Sequence, residues 1–365
     1  MKLIITYYGR KRKQLWSGTL DVFDKYFPLQ PNIEQLEWIR IFPPISTFYQ
    51  KLLTLYSRLF YTSNGICRER QMYYKTIKTA QNALNNQKVD WVLMVAEHCL
   101  NRTFPKDKKY ACYIDTDFPI TAKMDSSAHK RGFHYYISNY DKYTAESYKL
   151  MNVIFTQNEW TRKSIIERFN LNPEKVVNVR FGVNLEAYNG EKNYDQNLLL
   201  IVLRQFNTKI KGLDILIKAL PKIKEYYPNT RLAIVGNDQY KDIEGVDVYV
   251  GFPREKTKEL FKKATLYVMP SRNEPNGITY LEALCNKTPF VALNRFSTPE
   301  FSNNGEWSFL CNSENPNDLA DVVINALSDK ERLREMGLKG QRFVKENYSW
   351  EKTVSEMCKI MEDRL

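Results

Sequence analysis

Two α/β domains, each built on a parallel sheet and facing one another across a central cleft, are the fold class predicted for this 365-residue chain. Three observations predict it. The length exceeds the roughly 250–300 residues at which single cores stop growing. Short apolar runs of strand length alternate with helical patterns through most of the chain, the signature of parallel strands joined by crossover helices. Near the middle, residues 186–196 (EAYNGEKNYDQ) are polar and aperiodic, and they read as a linker.

The elements follow in order. In the first half, strands are expected at 3–8, 90–96, 111–114, 152–156 and 176–179, with about 80 residues of helical, aromatic material between the first two. In the second half, the continuous apolar run 197–203 (NLLLIVL) has the composition of a strand covered on both faces. Residues 211–226 have helical spacing, with Leu213, Leu216, Ile217 and Leu220 on one face. Strands are then expected at 231–235, ending at Gly236, and at 246–250, ending at Gly251. A helix at 253–263 precedes a strand at 265–269 that ends at Pro270. A helix at 278–285, a strand at 289–293 and helices near 316–327 and 329–346 complete the pattern. The expected domains are 1–188 and 189–348, with a terminal helix at 349–365 crossing back to the first.

Composition narrows the function. Hydrophobic residues at 43% and charged residues at 26% exclude collagen, coiled coil and wholesale disorder. The net charge of +12 is unevenly placed: residues 1–190 carry 28 Lys+Arg against 17 Asp+Glu, and the remainder is near neutral. A basic first half is expected to meet an anionic partner. Arg10–Lys13, Lys106/Lys108/Lys109 and 129–131 are its cationic clusters, and 46–63 reads as a basic, aromatic amphipathic helix suited to an anionic membrane surface or to the domain core. The six cysteines lack C-x-x-C spacing and are expected to be reduced and mostly buried, in a cytoplasmic protein. No metal cluster is visible, and the start reads as a strand rather than a signal peptide. No run approaches 18 apolar residues, so no membrane span is expected.

Ligands of parallel sheets bind beyond the carboxyl ends of the strands, so the loops after strands matter most. One reads Pro270-Ser271-Arg272-Asn273-Glu274-Pro275-Asn276-Gly277 and opens a helix at Ile278 that carries Glu282. Carboxylates accept hydrogen bonds from sugar hydroxyls, and Gly277 lets a ligand approach the amides of a helix start. A helix cap and a surface acid would also place two glutamates there. The second loop, Arg204-Gln205-Phe206-Asn207-Thr208-Lys209-Ile210-Lys211-Gly212, puts three cations at a strand end, which suits a diphosphate. A solvated basic loop would look the same.

These segments carry a resemblance. IVLRQFNTKIKGLDILIKAL resembles the strand–Gly-Arg-Leu–Lys-Gly–helix passage of retaining GT-B glycosyltransferases of family 4, and SRNEPNGITYLEAL resembles their Glu-x7-Glu motif. The likeness extends over roughly residues 150–365 and is weak over 20–110. It implies two Rossmann-like domains and a nucleotide-diphosphate sugar donor on the second of them. Arg204 and Lys211 would neutralise the diphosphate, with Lys209 competing for the role of Lys211. Glu274 would hold the donor sugar, aided by the amides of Asn276, Gly277 and Ile278 at the helix start. Glu282 would hold the ribose, Gly251 and Phe252 would flank the base, and Gly18 would approach the donor closely.

The sequence departs from the family in places. Pro275-Asn276-Gly277 stands where Gly-Phe-Gly is usual, and Asp115 matches the family's front histidine; Asp115 or Asp117 can take a hydrogen bond or proton from the acceptor, and a capping or turn role would place aspartates there equally well. Breaking the sugar–phosphate bond builds negative charge on the leaving group, which fixed cations stabilise, so no metal or other cofactor is expected. The expected acceptor is a glycan or a lipid-diphosphate-linked glycan, with enzyme at the inner face of a bacterial membrane. A non-catalytic sugar-binding subunit and a nucleic-acid-binding protein are the competing readings. The second leaves the Glu274 loop unexplained, and no nucleic acid is expected as partner.

Overall fold

The structure, a computed structural model, describes residues 1–7, 18–41, 52, 55, 70–95, 100–117, 120–121, 133–203 and 208–365. It divides into two compact units, Met1–Phe181 with Trp350–Leu365, and Gly182–Ser349.

The first unit holds strands β1 (Lys2–Tyr7), β2 (Gln35–Arg40), β3 (Trp91–Val95), β4 (Lys109–Ile114), β5 (Val153–Thr156) and β6 (Val176–Asn178). All pair in parallel, in the order β2-β1-β3-β4-β5-β6. Its helices are α1 (Thr19–Tyr26), α2 (Arg70–Leu84), α3 (Phe133–Leu150) and α4 (Glu159–Phe169). β3 and β5 are buried at every position because helices cover both faces of the sheet. On α2, Ile77, Ala80 and Leu84 repeat at helical spacing and enter a core that includes Ile4, Val92, Met94 and Ile154. Asn158 starts α4 by accepting a hydrogen bond from the Thr161 amide at 2.7 Å.

Strand β2 is absent from the sequence-based expectation, which assigned its segment to helical, aromatic material. It lies at the sheet edge and is only half-buried, so Glu37 and Arg40 interrupt the apolar signal.

The terminal helix, Trp350–Asp363, packs within this first unit. The Trp350 ring lies 6.0 Å from Phe23 and 6.5 Å from Phe181. Asn32 donates to the Cys358 carbonyl at 3.2 Å, and Lys109 donates to the Leu365 carbonyl at 2.6 Å.

The second unit carries β7 (Leu198–Val202), β8 (Arg231–Val235), β9 (Val246–Tyr249), β10 (Leu266–Val268), β11 (Phe290–Leu293) and β12 (Phe309–Cys311). These strands are parallel in the order β12-β11-β10-β7-β8-β9. Its helices are α5 (Leu213–Tyr226), α6 (Arg254–Lys263), α7 (Ile278–Cys285), α8 (Thr298–Ser302), α9 (Pro316–Leu327) and α10 (Lys330–Asn347), which makes the terminal Trp350–Asp363 helix α11. The chain goes one way along the sheet from β7 to β9 and the other way from β10 to β12, so the direction reverses between β7 and β10. Tyr267 pairs with Leu200 across that junction.

The expected linker at 186–196 is not a linker. The unit boundary lies at Phe181/Gly182 rather than after residue 188, and the polar stretch is stitched into the second unit. Tyr188 N donates to the Cys285 carbonyl at 3.1 Å. Lys192 is only 5% exposed; its ammonium donates to the carbonyls of Phe261 and Lys262 at 3.0 and 2.9 Å, at the carboxyl end of α6, and to Thr288 Oγ1 at 2.8 Å. A lysine capping a helix from a distant segment leaves no periodicity in the sequence.

Burial pushes the Lys192 ammonium down to about 7, and nearby Lys287 adds to the push. The unfolded chain keeps that proton to about 10.4. Folding therefore releases it between these values, and the cost of burying the charge, full below about pH 7, is relieved as pH rises. Lys192→Met is expected to remove this dependence. Urea unfolding of both proteins from pH 6.5 to 10 should show the parent gaining stability over the variant by up to about 1.4 kcal/mol per pH unit. Parallel pH profiles would show that the site does not titrate in this window.

Candidate functional site

The strand order reverses between β7 and β10, and in open parallel sheets ligands bind beyond the carboxyl ends of strands at such a reversal. Both candidate loops of the second unit start there. Residues 204–207 lie outside the described residues, so Arg204 is not placed. From Thr208 onward the loop after β7 turns tightly into α5. Leu213 N donates to the Thr208 carbonyl at 3.1 Å, and Gly212, at φ 74°, caps the helix in the left-handed region.

The loop after β10 is fastened to it. Arg272 N donates to the Ile210 carbonyl at 2.7 Å, and the Ser271 hydroxyl donates to the same carbonyl at 3.2 Å. A Cβ on Gly212 would sit 2.0 Å from the Pro270 carbonyl oxygen, so only glycine admits this approach. The result brings Lys211 Nζ onto Glu274 Oε2 as a hydrogen-bonded ion pair. Both side chains remain partly exposed. Lys209 is exposed, and its carbonyl accepts from Arg272, so of the two competing lysines it is Lys211 that meets Glu274.

Gly277 begins α7 with an irregular backbone (φ −16°, ψ 59°), and a Cβ there would lie 2.2 Å from the Tyr280 ring. Tyr280 is fixed in turn by its hydroxyl, which donates to the Met269 carbonyl at 2.6 Å. Asn276 and Ile278 flank this start. Glu282 lies one turn further along α7 and is buried at 8% exposure. Burial raises the Tyr267 hydroxyl and the Cys285 thiol, and the Glu282 carboxylate adds to both. Gly251, at φ 63°, follows β9 with no atom within 4 Å of a would-be Cβ. Half-buried Phe252 follows it, its ring 4.7 Å from Tyr249.

Sequence reasoning overlooked an ion-pair chain beneath the loop. Arg272 binds Asp214 through both terminal nitrogens at 2.7 and 2.9 Å, and its Nε reaches Glu314 at 2.8 Å. Arg295 reaches the other Glu314 oxygen at 2.9 Å. Burial alone would raise the Asp214 and Glu314 carboxyls, but Arg272 overcomes it at both, with help from Arg295 at Glu314, and holds them below the usual range. This chain fixes the backbone two residues before Glu274. Its only sequence signal was an arginine inside the candidate loop.

In the first unit the order of strands reverses between β1 and β3. Gly18 caps α1 at φ 87°, with no atom within 4 Å of a would-be Cβ. Asp115 follows β4 directly and is half-buried; its carbonyl accepts from Thr161 Oγ1 at 3.1 Å. Asp117, the alternative to Asp115, is tied into the fold. Its carboxylate, 2% exposed, is gripped by Arg168 through two bonds of 2.8 Å and by Ser164 at 2.7 Å. Two cations of the expected Lys106/Lys108/Lys109 patch are also consumed internally. Lys108 donates to the Gln87 carbonyl and Asp107, and Lys109 to the terminal carbonyls. The clusters at 10–13 and 129–131 lie outside the described residues, as does the 46–63 segment apart from Leu52 and Leu55.

Among the described residues, no group of three His, Cys, Asp or Glu side chains is placed to hold a metal ion, and no helix is long and apolar enough to cross a membrane. The four described cysteines are buried free thiols.

Residues 186–343 match the family model described as glycosyl transferases group 1. Over this segment the chain is similar to the group 1 glycosyl transferases. The match spans both loops of the candidate site. An uncharacterized glycosyltransferase of Methanocaldococcus jannaschii is 30% identical over 205 residues, 52% of this chain and 49% of the relative. The GDP-mannose-dependent alpha-(1-6)-phosphatidylinositol monomannoside mannosyltransferase of Mycolicibacterium smegmatis is 28% identical over 172 residues, 42% of this chain and 45% of the relative. The chain thus spans about half the length of these curated relatives. Among solved structures, WaaG, a glycosyltransferase involved in lipopolysaccharide biosynthesis, superimposes with a TM-score of 0.66 at 16% identity, covering 98% of this chain and 99% of that one. Sucrose-phosphate synthase of Thermosynechococcus elongatus gives a TM-score of 0.71 at 14% identity, covering 100% and 99%. At these identities the likeness concerns the fold, which is the GT-B architecture of two parallel six-stranded sheets.

Proposed function

We propose that this protein is a group 1 glycosyltransferase of the retaining kind that moves a sugar from a nucleotide-diphosphate donor to a glycan or lipid-linked glycan in bacterial surface polysaccharide assembly. The observation that carries the reading is the meeting of Lys211 and Glu274 at the carboxyl end of the second sheet, where its strand order reverses. A carboxylate there suits sugar hydroxyls, and an adjacent ammonium suits a diphosphate.

In this reading Arg204 and Lys211 neutralise the negative charge that grows on the leaving diphosphate. Charges held in place before the reaction need no reorganisation during it, and a divalent ion is not required. Glu274, with the amides of Asn276, Gly277 and Ile278 at the start of α7, orients the sugar. Glu282 takes the ribose, and Gly251 and Phe252 the base. On the first unit, Asp115 accepts the acceptor's proton. The net positive charge of residues 1–190 favours an anionic acceptor, at the cytoplasmic face of the membrane.

A panel of nucleotide sugars tests this. At least one is expected to raise Tm and to be hydrolysed slowly, or transferred, with a chelator present. A panel in which no nucleotide sugar shifts Tm or is turned over would sink the reading. Stabilisation without turnover would instead favour a non-catalytic binding subunit.

A further inference from the structure

A cavity of ≈ 400 Å³ opens in the first unit beside Lys106 and Lys108. It lies at the amino ends of β4 and β5, lined by Lys108 and Tyr110 at the start of β4 and by Leu150 at the end of α3. Asp115 follows the other end of β4, about 20 Å away at the rise of a strand. The cavity is within the size range of small-ligand sites.

Its chemistry is two-sided. Leu150, Phe104 and Tyr110 give it an apolar floor, with the Phe104 and Tyr110 rings locked edge to face at 6.0 Å. The Tyr110 hydroxyl donates to the Pro105 carbonyl at 2.8 Å, which holds the floor in shape. Arg102 and Lys106 line the cavity and are exposed. Neither has a hydrogen-bond or ion-pair partner among the described residues. Lys108 is buried beneath and already paired. None of the described lining residues is acidic. Two uncommitted cations over an apolar floor complement a ligand that is anionic at one end and apolar at the other.

We propose that this cavity binds a small anionic amphiphile, its phosphate or carboxylate meeting Arg102 and Lys106 and its ring or chain lying on the Leu150–Phe104 floor. The same chemistry is offered by a free organic phosphate and by a phospholipid headgroup with its first methylenes. Titration of the full chain with phenyl phosphate is expected to give saturable binding at one site, at least tenfold tighter than inorganic phosphate or phenol alone. The double variant Arg102→Gln/Lys106→Gln should weaken it at least tenfold, with Tm unchanged. Phosphatidylglycerol vesicles form the second arm. Vesicle binding that the double substitution abolishes assigns a lipid source, and a phenyl phosphate site lost without any change in vesicle binding assigns a free molecule. Equal phenyl phosphate affinity in the two proteins overturns the proposal, as does the absence of saturable binding by either probe.

Discussion

Glu274→Ala is expected to lower sugar transfer at least about a hundredfold while the protein stays folded. Removing one preorganised group that acts on developing charge or on substrate orientation costs this much in other enzymes. The fold should tolerate the change. The Lys211–Glu274 pair is partly exposed on both sides, and such pairs contribute about 1 kcal/mol or less. The loop is held independently by Arg272 through Asp214 and Glu314, so Tm should move by no more than about 3 °C. Initial rates at saturating donor, read beside a melting curve, separate the outcomes. Transfer at the parent rate would remove Glu274 from the donor site. A large drop in Tm would recast the residue as structural.

Gly212→Ala should destabilise the second unit by about 3 kcal/mol or more, lowering Tm by roughly 6–12 °C. Two costs coincide there. The φ of 74° is strained for any residue with a Cβ. That Cβ would also lie 2.0 Å from the Pro270 carbonyl oxygen, so one of the two loops must move. Because Pro270 begins the loop that carries Glu274, donor affinity should fall together with stability. Gly251→Ala is the control: its φ is 63°, yet nothing lies within 4 Å, so it should cost only about 1–2 kcal/mol. Equal losses in the two variants would show that conformational strain alone, and not the meeting of the loops, makes Gly212 necessary.

Much of the second unit is legible in the sequence, and for a physical reason. Strands buried on both faces must be apolar along their buried length, as in Leu198–Val202 and in β8 from Leu232 to Val235, and the glycines and prolines that stop them stand out. Edge strand β2 is invisible by the same logic, because one side of it meets solvent and its charges break the run. The polar segment 186–196 misleads in the opposite sense. Lys192 and Tyr194 look solvated, but both are buried against helix ends and loops from about 70 to 95 residues away in sequence.

The chemistry of the site divides along similar lines. Local sequence determined which residue types sit in the loops after β7 and β10, since spacing along one loop is a property of the chain itself. Tertiary structure alone decided that Lys211 rather than Lys209 meets Glu274, that Arg272 anchors the loop from below, and that Asp117 is spent on Arg168 while Asp115 is not held by that arginine. Each of these outcomes depends on a partner at least 50 residues distant. A hydrogen-bonded ion pair forms only within about 3 Å, so which partner a charge acquires is fixed only when the sheet brings the loops together.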